Sequence, residues 1–454
     1  MSVKDNDSLL TVLKAKWILP MSSEPMKQAC ILVSGKKIEN VVPANELTQF
    51  IAGREYALHD YGEAIILPGF INLHTHLEHT NLRGLAQESA FLEWLAKLME
   101  ATANWSIADR MNSARSGAKE SILAGTTLVV DFSYNGASVI PLADLGLRAI
   151  IGLETFGIDE STVEDQWQQW LERRNSILSN SVVKTALQEE RMAITVSPHA
   201  PYTVCPALWQ KAKIWSKDNN LPLLTHLSES REELNWFKSE DKDLREFLIY
   251  GFGKRTANFA QLYETNTAWK SLNQSPVEHL HKHGLLTDNL LAAHCVQIDE
   301  FDINLLKTSG VSIAHCPNSN TILKCGRAPL KKLLANNMRV GLGTDSAASS
   351  NNLNLLTEAA FAISIHRSYG ANFELGAKEV LELITIKAAH CLGLGHKLGS
   401  LQAGKLADIG IFTLPLGEKG LGYAGEDDPY ALLIRGACRL ENLLINGKTV
   451  YSNE

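Results

Sequence analysis

His74 and His76 stand one residue apart in Pro68-Gly-Phe-Ile-Asn-Leu-His-Thr-His76, at the end of a short apolar run. In an extended strand, residues two apart point to the same face. Both imidazoles can therefore enter one pocket and share a metal ion. Alone the pair is a weak signal, since surface or core histidines show the same spacing. Other groups of the right chemistry end apolar runs much further along the chain: His226, His294 and Asp345. His74, His76, His226 and Asp345 would make an open site for one divalent metal ion, Zn(II) foremost, with Fe(II) and Mn(II) as alternatives. Such an ion brings the pKa of a water molecule down to about 7. Glu229, in His226-Leu-Ser-Glu229, is expected to shuttle a proton. The competing reading, a carboxylate facing a helix N-terminus, is the one given to Glu232 and Glu233. His294 is expected to steady developing charge or orient the water, and Asp345 to accept a proton as well as hold metal.

His199, in the rigid polar loop Ser197-Pro-His-Ala-Pro-Tyr202, is expected to contact substrate. His315 reads equally as a wall residue and as a structural histidine. His59, His279, His281, His283, His366, His390 and His396 read as surface or packing residues, and His79 as lying outside the site.

These groups need a scaffold that gathers them. Candidate strands are 70–74, 126–131, 147–154, 192–197, 221–226, 290–294, 311–315 and 339–345. Helical patterns lie between them, for example 108–124, 160–178, 206–219 and 352–366. Eight strands alternating with helices predict an α/β fold, a (β/α)8 TIM-type barrel. A doubly wound open sheet fits the count equally. The polar residues favour the barrel, because its strand C-termini all meet on one face. Residues 8–66 and 407–451 read instead as short strands with hairpin turns at Gly35 and at Asn446-Gly447. Both ends are expected to form one small β-unit (1–66 with 398–454) beside a central unit (67–397). The stretch 227–289 reads as a long insertion with Trp236, Phe237, Phe247, Tyr250, Phe252 and Trp269. It is either a lid or wall of the site or a helical excursion with its own small core.

The composition narrows the setting. The chain has 454 residues, 45% hydrophobic and 20% charged, with a net charge of -7. No basic block is present, which argues against nucleic acid as partner. No apolar run approaches the roughly 18–20 residues of a membrane span, and no signal-peptide pattern is seen. Seven cysteines without Cys-x-x-Cys spacing argue for a reducing cytoplasm rather than a disulfide framework. A homo-oligomer is compatible with all of this.

The motifs taken together resemble the amidohydrolase superfamily. They are Leu67–His76, Ser197–Thr203, Thr225–Glu229, Ala293–Cys295, His315–Asn320, Gly343–Asn352 and Gly399–Asp408. The resemblance extends over nearly the whole chain. It is with the branch of methylthioadenosine/S-adenosylhomocysteine, aminodeoxyfutalosine and guanine deaminases and of triazine hydrolases. It implies one divalent metal on His74, His76, His226 and Asp345, Glu229 and His294 as catalytic groups, and His199 as a substrate contact. It also implies a β-sandwich built from the chain ends. Three segments are most similar to aminodeoxyfutalosine deaminases: His76–Arg83 with Phe91–Trp94, Thr225–Ser230, and Trp269 followed by Ser275–Leu280. Arg83-Gly84 and Trp94 are also shared with methylthioadenosine/S-adenosylhomocysteine deaminases. Those usually carry a further acidic residue for the ribose hydroxyls, and Glu100 lies near that place.

The implied reaction adds water at C6 of an adenine-type ring. Glu229 protonates a ring nitrogen, Asp345 takes the proton of the water, and the exocyclic amine leaves as ammonia. Trp94 or an aromatic of the insertion is expected to stack on the base. Two other functions remain in view, expulsion of chloride or an alkylamine from a triazine-like ring and a non-catalytic scaffold.

Overall fold

The computed structural model describes residues 9–51, 53–87, 89–239, 242–253, 273–367, 375–414 and 428–453. Trp269 and the side chain of Phe252 lie outside this set. Strands β1 (Leu10–Ile18), β2 (Met26–Ser34), β3 (Lys37–Pro43), β4 (Tyr56–Asp60) and β5 (Ala64–Pro68) come first. The central strands follow: β6 (Phe70–Thr75), β7 (Thr126–Ser133), β8 (Arg148–Thr155), β9 (Met192–Pro198), β10 (Leu223–Leu227), β11 (Leu290–His294), β12 (Ser312–His315) and β13 (Arg339–Leu342). Then come β14 (Ile409–Thr413), β15 (Arg439–Ile445) and β16 (Lys448–Ser452).

The central strands pair in parallel and in sequence order, as two four-stranded sheets, β6 to β9 and β10 to β13. Parallel strands buried on both faces need continuous apolar runs, and β7 and β8 are buried at every residue. One apolar cluster takes Ile71, Leu73, Leu128, Val130 and Ile150 from the first sheet and Leu224, Leu291, Ala293 and Ala314 from the second. Hydrogen bonds also cross between the sheets. His226 N–H donates to His199 O at 2.9 Å, and Asp345 N–H to His74 O at 2.9 Å. Helices cover the strands from outside. The helix Ile107–Leu123, for instance, starts at a capping box in which Ser106 and Asp109 exchange backbone and side-chain bonds.

The chain ends pair into a single eight-stranded sheet in the order β16-β15-β14-β5-β1-β2-β3, with β4 added on β1. The Asn446-Gly447 turn has φ of 51° and 72°, the left-handed pair that a two-residue hairpin requires. Asp408 ties this sheet to the central strands. Its carboxylate takes two bonds from the Arg148 guanidinium, at 2.8 and 3.0 Å, and one from Asn446 N–H at 2.9 Å. Its carbonyl accepts from Gly69 N–H.

Two boundaries differ from expectation in ways that matter for the site. The strand expected to run to Asp345 stops at Leu342, so Asp345 sits in the following loop. In the insertion, Trp236, Phe237, Leu244 and Leu248 pack with Ile158, Ala200 and Tyr202 in a cluster of their own. Phe247 and Gly251 nevertheless line the pocket, so the segment is both a small core and a wall. No helix among the described residues is long and apolar enough to cross a membrane. The seven cysteines are all free.

Candidate metal centre and pocket

Proton bookkeeping on the histidines is the most informative feature. His76 Nδ1 lies 2.8 Å from Phe132 O, and His226 Nδ1 lies 2.9 Å from His199 O. A carbonyl oxygen only accepts, so each Nδ1 carries the proton. Each neutral ring is then left with a lone pair on Nε2. Those two Nε2 atoms face each other 3.0 Å apart. Two bare lone pairs repel at that distance, so either a proton or a metal cation belongs between them. Burial favours the neutral form, and it holds the His226 pKa well below its ordinary value, with the nearby histidines adding to the effect. His74 is fully buried, and neither ring nitrogen has a hydrogen-bond partner among the described residues. Burial pushes its pKa down to about 3, against the opposing pull of Asp345. Asp345 Oδ1 lies 3.4 Å from His74 Nε2 and 3.8 Å from His76 Nε2. Three imidazoles and a carboxylate converge where a divalent ion would satisfy them all.

Asp345 is held as a carboxylate. Burial alone would raise its pKa. The contact with His74 and the fields of His74, His294 and His76 outweigh burial and hold it well below the usual carboxylate range. Ser319 Oγ and Ser349 Oγ donate to its Oδ2 at 2.5 and 2.9 Å, and Ser346 N–H donates to Oδ1 at 2.6 Å.

The backbone here is bent into conformations that side chains resist. Ser228, His294, Cys295 and Asp345 have φ of 51°, 75°, 47° and 58°. Each such non-glycine residue costs on the order of 1–3 kcal/mol and persists only when its surroundings impose it. They do so here. The Asn72 amide donates to Thr344 Oγ1 at 2.8 Å, and its Oδ1 accepts Thr344 N–H at 3.0 Å. That clamp fixes the loop carrying Asp345 against the strand carrying His74. Gly343 completes it, because a Cβ there would meet His74 Cβ at 2.7 Å and His74 N at 2.8 Å.

Glu229 and His294 lie together, with Glu229 Oε1 3.6 Å from His294 Nε2. Burial, reinforced by Asp345, Glu233 and Glu232, pushes the Glu229 carboxyl well above its ordinary pKa. His294 Nδ1 is 2.9 Å from Asn320 Oδ1, which turns Nε2 toward Glu229. Glu233 stands in the first turn of its helix, Arg231–Ser239, as expected of a helix-start carboxylate, and it does more than face the dipole. It is buried and accepts Ser228 N–H at 3.0 Å and Glu229 N–H at 2.8 Å, closing the turn that presents Glu229.

The cleft beyond these groups encloses about 1150 Å³, open solvent at its mouth included. Phe91, Trp94, Leu95, Leu98, Met99 and Phe247 form an apolar wall. Trp94 is anchored by its indole N–H, which donates to Ala348 O at 3.0 Å. His199 also lines the cleft, stacked on Phe156 with ring centroids 4.6 Å apart and bonded through Nδ1 to Thr203 Oγ1. His79, read as outside the site, is in the cleft wall with its ring 6.0 Å from that of His76. His315 is structural. It is fully buried, and its Nε2 lies 3.1 Å from His366 Nε2. Glu100 is exposed. Two residues that sequence reasoning passed over face the cleft, Arg110 and Glu154. Burial pushes the Glu154 pKa up to about 7, and its Oε1 has no partner among the described residues.

Known proteins of similar sequence and fold identify the family. A 5-methylthioadenosine/S-adenosylhomocysteine deaminase of Syntrophobacter fumaroxidans is 32% identical over 395 residues, 84% of this chain and 78% of that protein. An adenosine deaminase of Xanthomonas campestris, solved with bound zinc, superposes with a TM-score of 0.78 at 23% identity, covering 98% of this chain and 93% of that one. The aminofutalosine deaminase of Helicobacter pylori, solved with methylthio-coformycin, superposes with a TM-score of 0.79 at 19% identity, covering 97% and 100%. These likenesses give an α/β fold of the TIM-barrel type. Residues 65–450 match the amidohydrolase family, and the chain belongs to that family of hydrolases.

Proposed function

We propose that this chain is a metal-dependent hydrolytic deaminase of an adenine-type nucleoside, with 6-amino-6-deoxyfutalosine as substrate and ammonia as a product. The observation that carries the metal-dependent part is the approach of His76 and His226 Nε2 to 3.0 Å, beside the fully buried His74 ring and the Asp345 carboxylate 3.4 Å from it. The names of the relatives supply the nucleoside. His74, His76, His226 and Asp345 would hold the ion, zinc in this reading, with Fe(II) or Mn(II) as alternatives. When bound, a divalent ion supplies the acidification that makes water a nucleophile at neutral pH.

The chain's own groups do the rest. Water adds at C6 of the ring. Glu229, kept protonated by burial, gives its proton to a ring nitrogen. Asp345, kept ionised by its histidine neighbours, takes the proton the water gives up. His294 orients Glu229 and the oxygen at C6 through its Nε2. Asp345 then returns the proton it took to the exocyclic amine, the C6–N bond breaks to release ammonia, and the C6 hydroxyl becomes a carbonyl by giving its proton to Glu229. One water is consumed, one ammonia is released, and no oxidant is needed. Trp94 and His199 contact the nucleoside from the walls of the cleft.

A second reading, methylthioadenosine/S-adenosylhomocysteine deaminase, draws on the Syntrophobacter relative. Against it, the acidic residue nearest the expected ribose contact, Glu100, is exposed, while Met99 and Thr102 line the wall. Ammonia release from both substrates, with adenosine, guanine and a triazine alongside, separates these readings. Turnover of the triazine alone would overturn both.

We also propose that the two parallel sheets are halves of one closed eight-stranded barrel, residues 67–397, and that 1–66 with 398–454 form a β-sandwich buttress. The shared apolar cluster and the bonds crossing both seams support the barrel. The core of Leu13, Ile31, Ile66 and Ile409 supports the buttress. A reducing cytoplasmic setting suits the seven free cysteines.

A further inference from the structure

Arg110 lies on the helix Ile107–Leu123, is nine-tenths buried, and faces the cleft. Its guanidinium has five N–H donors. One bond is formed among the described residues, from Nη2 to Thr102 O at 3.3 Å. No carboxylate of the described residues comes within 4.0 Å of it. The group is nevertheless held in place, 5.5 Å above the Tyr134 ring and 6.0 Å from that of Trp105. Arg110 acts on the buried Glu78 only through its field, against the burial that pushes the Glu78 carboxyl above its ordinary pKa, so the guanidinium has no contact ion pair of its own, and a buried cation in that state is costly. Fixed, desolvated and with donors to spare, Arg110 is arranged to receive an anion from the cleft, and its planar fork matches a carboxylate.

The surroundings say what kind of anion. Glu229 and Asp345 occupy the part of the cleft where the base is processed. Leu95, Leu98 and Met99 line the wall from the helix Phe91–Thr102, and that helix ends at Thr102, whose carbonyl Arg110 touches. A compact phosphate directly on the sugar would leave that apolar surface uncovered. A carboxylate carried on an aromatic or similarly apolar spacer would cover it.

We propose that Arg110 is a specificity-determining residue that binds a carboxylate on the far, non-base end of the nucleoside. This rests on the deaminase reading above. The test compares kcat/KM for ammonia release from four adenine nucleosides. They are methylthioadenosine (neutral tail), adenosine 5′-phosphate (compact anion), S-adenosylhomocysteine (zwitterion) and 6-amino-6-deoxyfutalosine (carboxylate on an aryl ketone). The wild type should favour the aryl carboxylate over the neutral tail by at least about tenfold. Arg110→Gln should cut that ratio by about 10- to 100-fold, the worth of a charge-assisted bond. Arg110→Lys, which keeps the charge and loses the fork, should fall between. A ratio unmoved within about twofold in Arg110→Gln, or equal losses on both substrates, overturns the inference and leaves the deaminase reading standing. A preference for the compact phosphate overturns it too. If Arg110→Gln does not fold, the wild-type ratio decides, and no preference for the carboxylate overturns the proposal. A wild type that deaminates none of the four overturns the deaminase reading and this inference with it.

Discussion

Replacing Glu233 by Gln tests whether the turn that presents Glu229 is held by that carboxylate. Its two oxygens accept Ser228 N–H and Glu229 N–H at 3.0 and 2.8 Å in a buried setting. Glutamine has one carbonyl oxygen. Its amide nitrogen would face one of the two N–H groups, donor against donor. A buried N–H left unsatisfied costs about 1–3 kcal/mol. That is comparable to the cost of the left-handed Ser228 backbone the turn sustains, so the turn is expected to relax. A displacement of Glu229 of about 1 Å is enough to lower turnover about 100-fold. The assay is steady-state ammonia release together with metal analysis. We expect kcat to fall by about 10- to 100-fold, KM to change by less than about threefold, and metal content to stay at the wild-type level. A kcat within twofold of wild type would refute the positioning role of Glu233. A parallel loss of metal would show instead that the strand carrying His226 had moved.

Three further predictions use other parts of the site. Burial pushes the Glu358 carboxyl up to about 8, although it accepts two bonds from Asn318. The unfolded chain therefore ionises near pH 4.5 while the fold keeps the proton. This group costs nothing below pH 4.5, and its destabilisation grows as pH rises toward 8, reaching at most about 5 kcal/mol. The stability of Glu358→Gln relative to wild type should therefore rise from pH 5 to pH 8, and melting curves at both pH values check the sign. Gly343→Ala places a methyl group against His74, and metal analysis should show metal content reduced by at least half. Chelation should lower the melting temperature, because the His76 and His226 lone pairs are left facing each other, and added zinc should restore it.

What the sequence revealed follows the reach of local periodicity. His74 and His76 were legible because strand alternation places i and i+2 on one face. The strand ends at His226, His294 and His315 were legible because short apolar runs stop there. Asp345 was recognisable as chemistry but not as geometry. Its strand stops three residues earlier, and a left-handed loop, stabilised from Asn72 across the fold, brings it to the metal side. The burial of Glu233 and Arg110 is not legible, since nothing within their own helices marks them as buried. Which way they face is decided by the packing of each helix on the strands. His79 was set aside because it follows the strand, yet the short helical turn Leu77–Leu82 folds it back into the cleft wall. The chain-end strands were legible through their turns, but their pairing into one eight-stranded sheet depends on partners 341 to 349 residues apart, from Ile409 with Pro68 to Thr413 with Ala64.

The most direct test of the central claim is ammonia release from 6-amino-6-deoxyfutalosine by zinc-loaded wild type, Glu229→Gln and Asp345→Asn, with zinc measured on the same samples. The account predicts about one zinc per wild-type chain. Glu229→Gln should keep its zinc and lose turnover by about 100-fold or more, and Asp345→Asn should lose both. Undiminished turnover in both variants would contradict it.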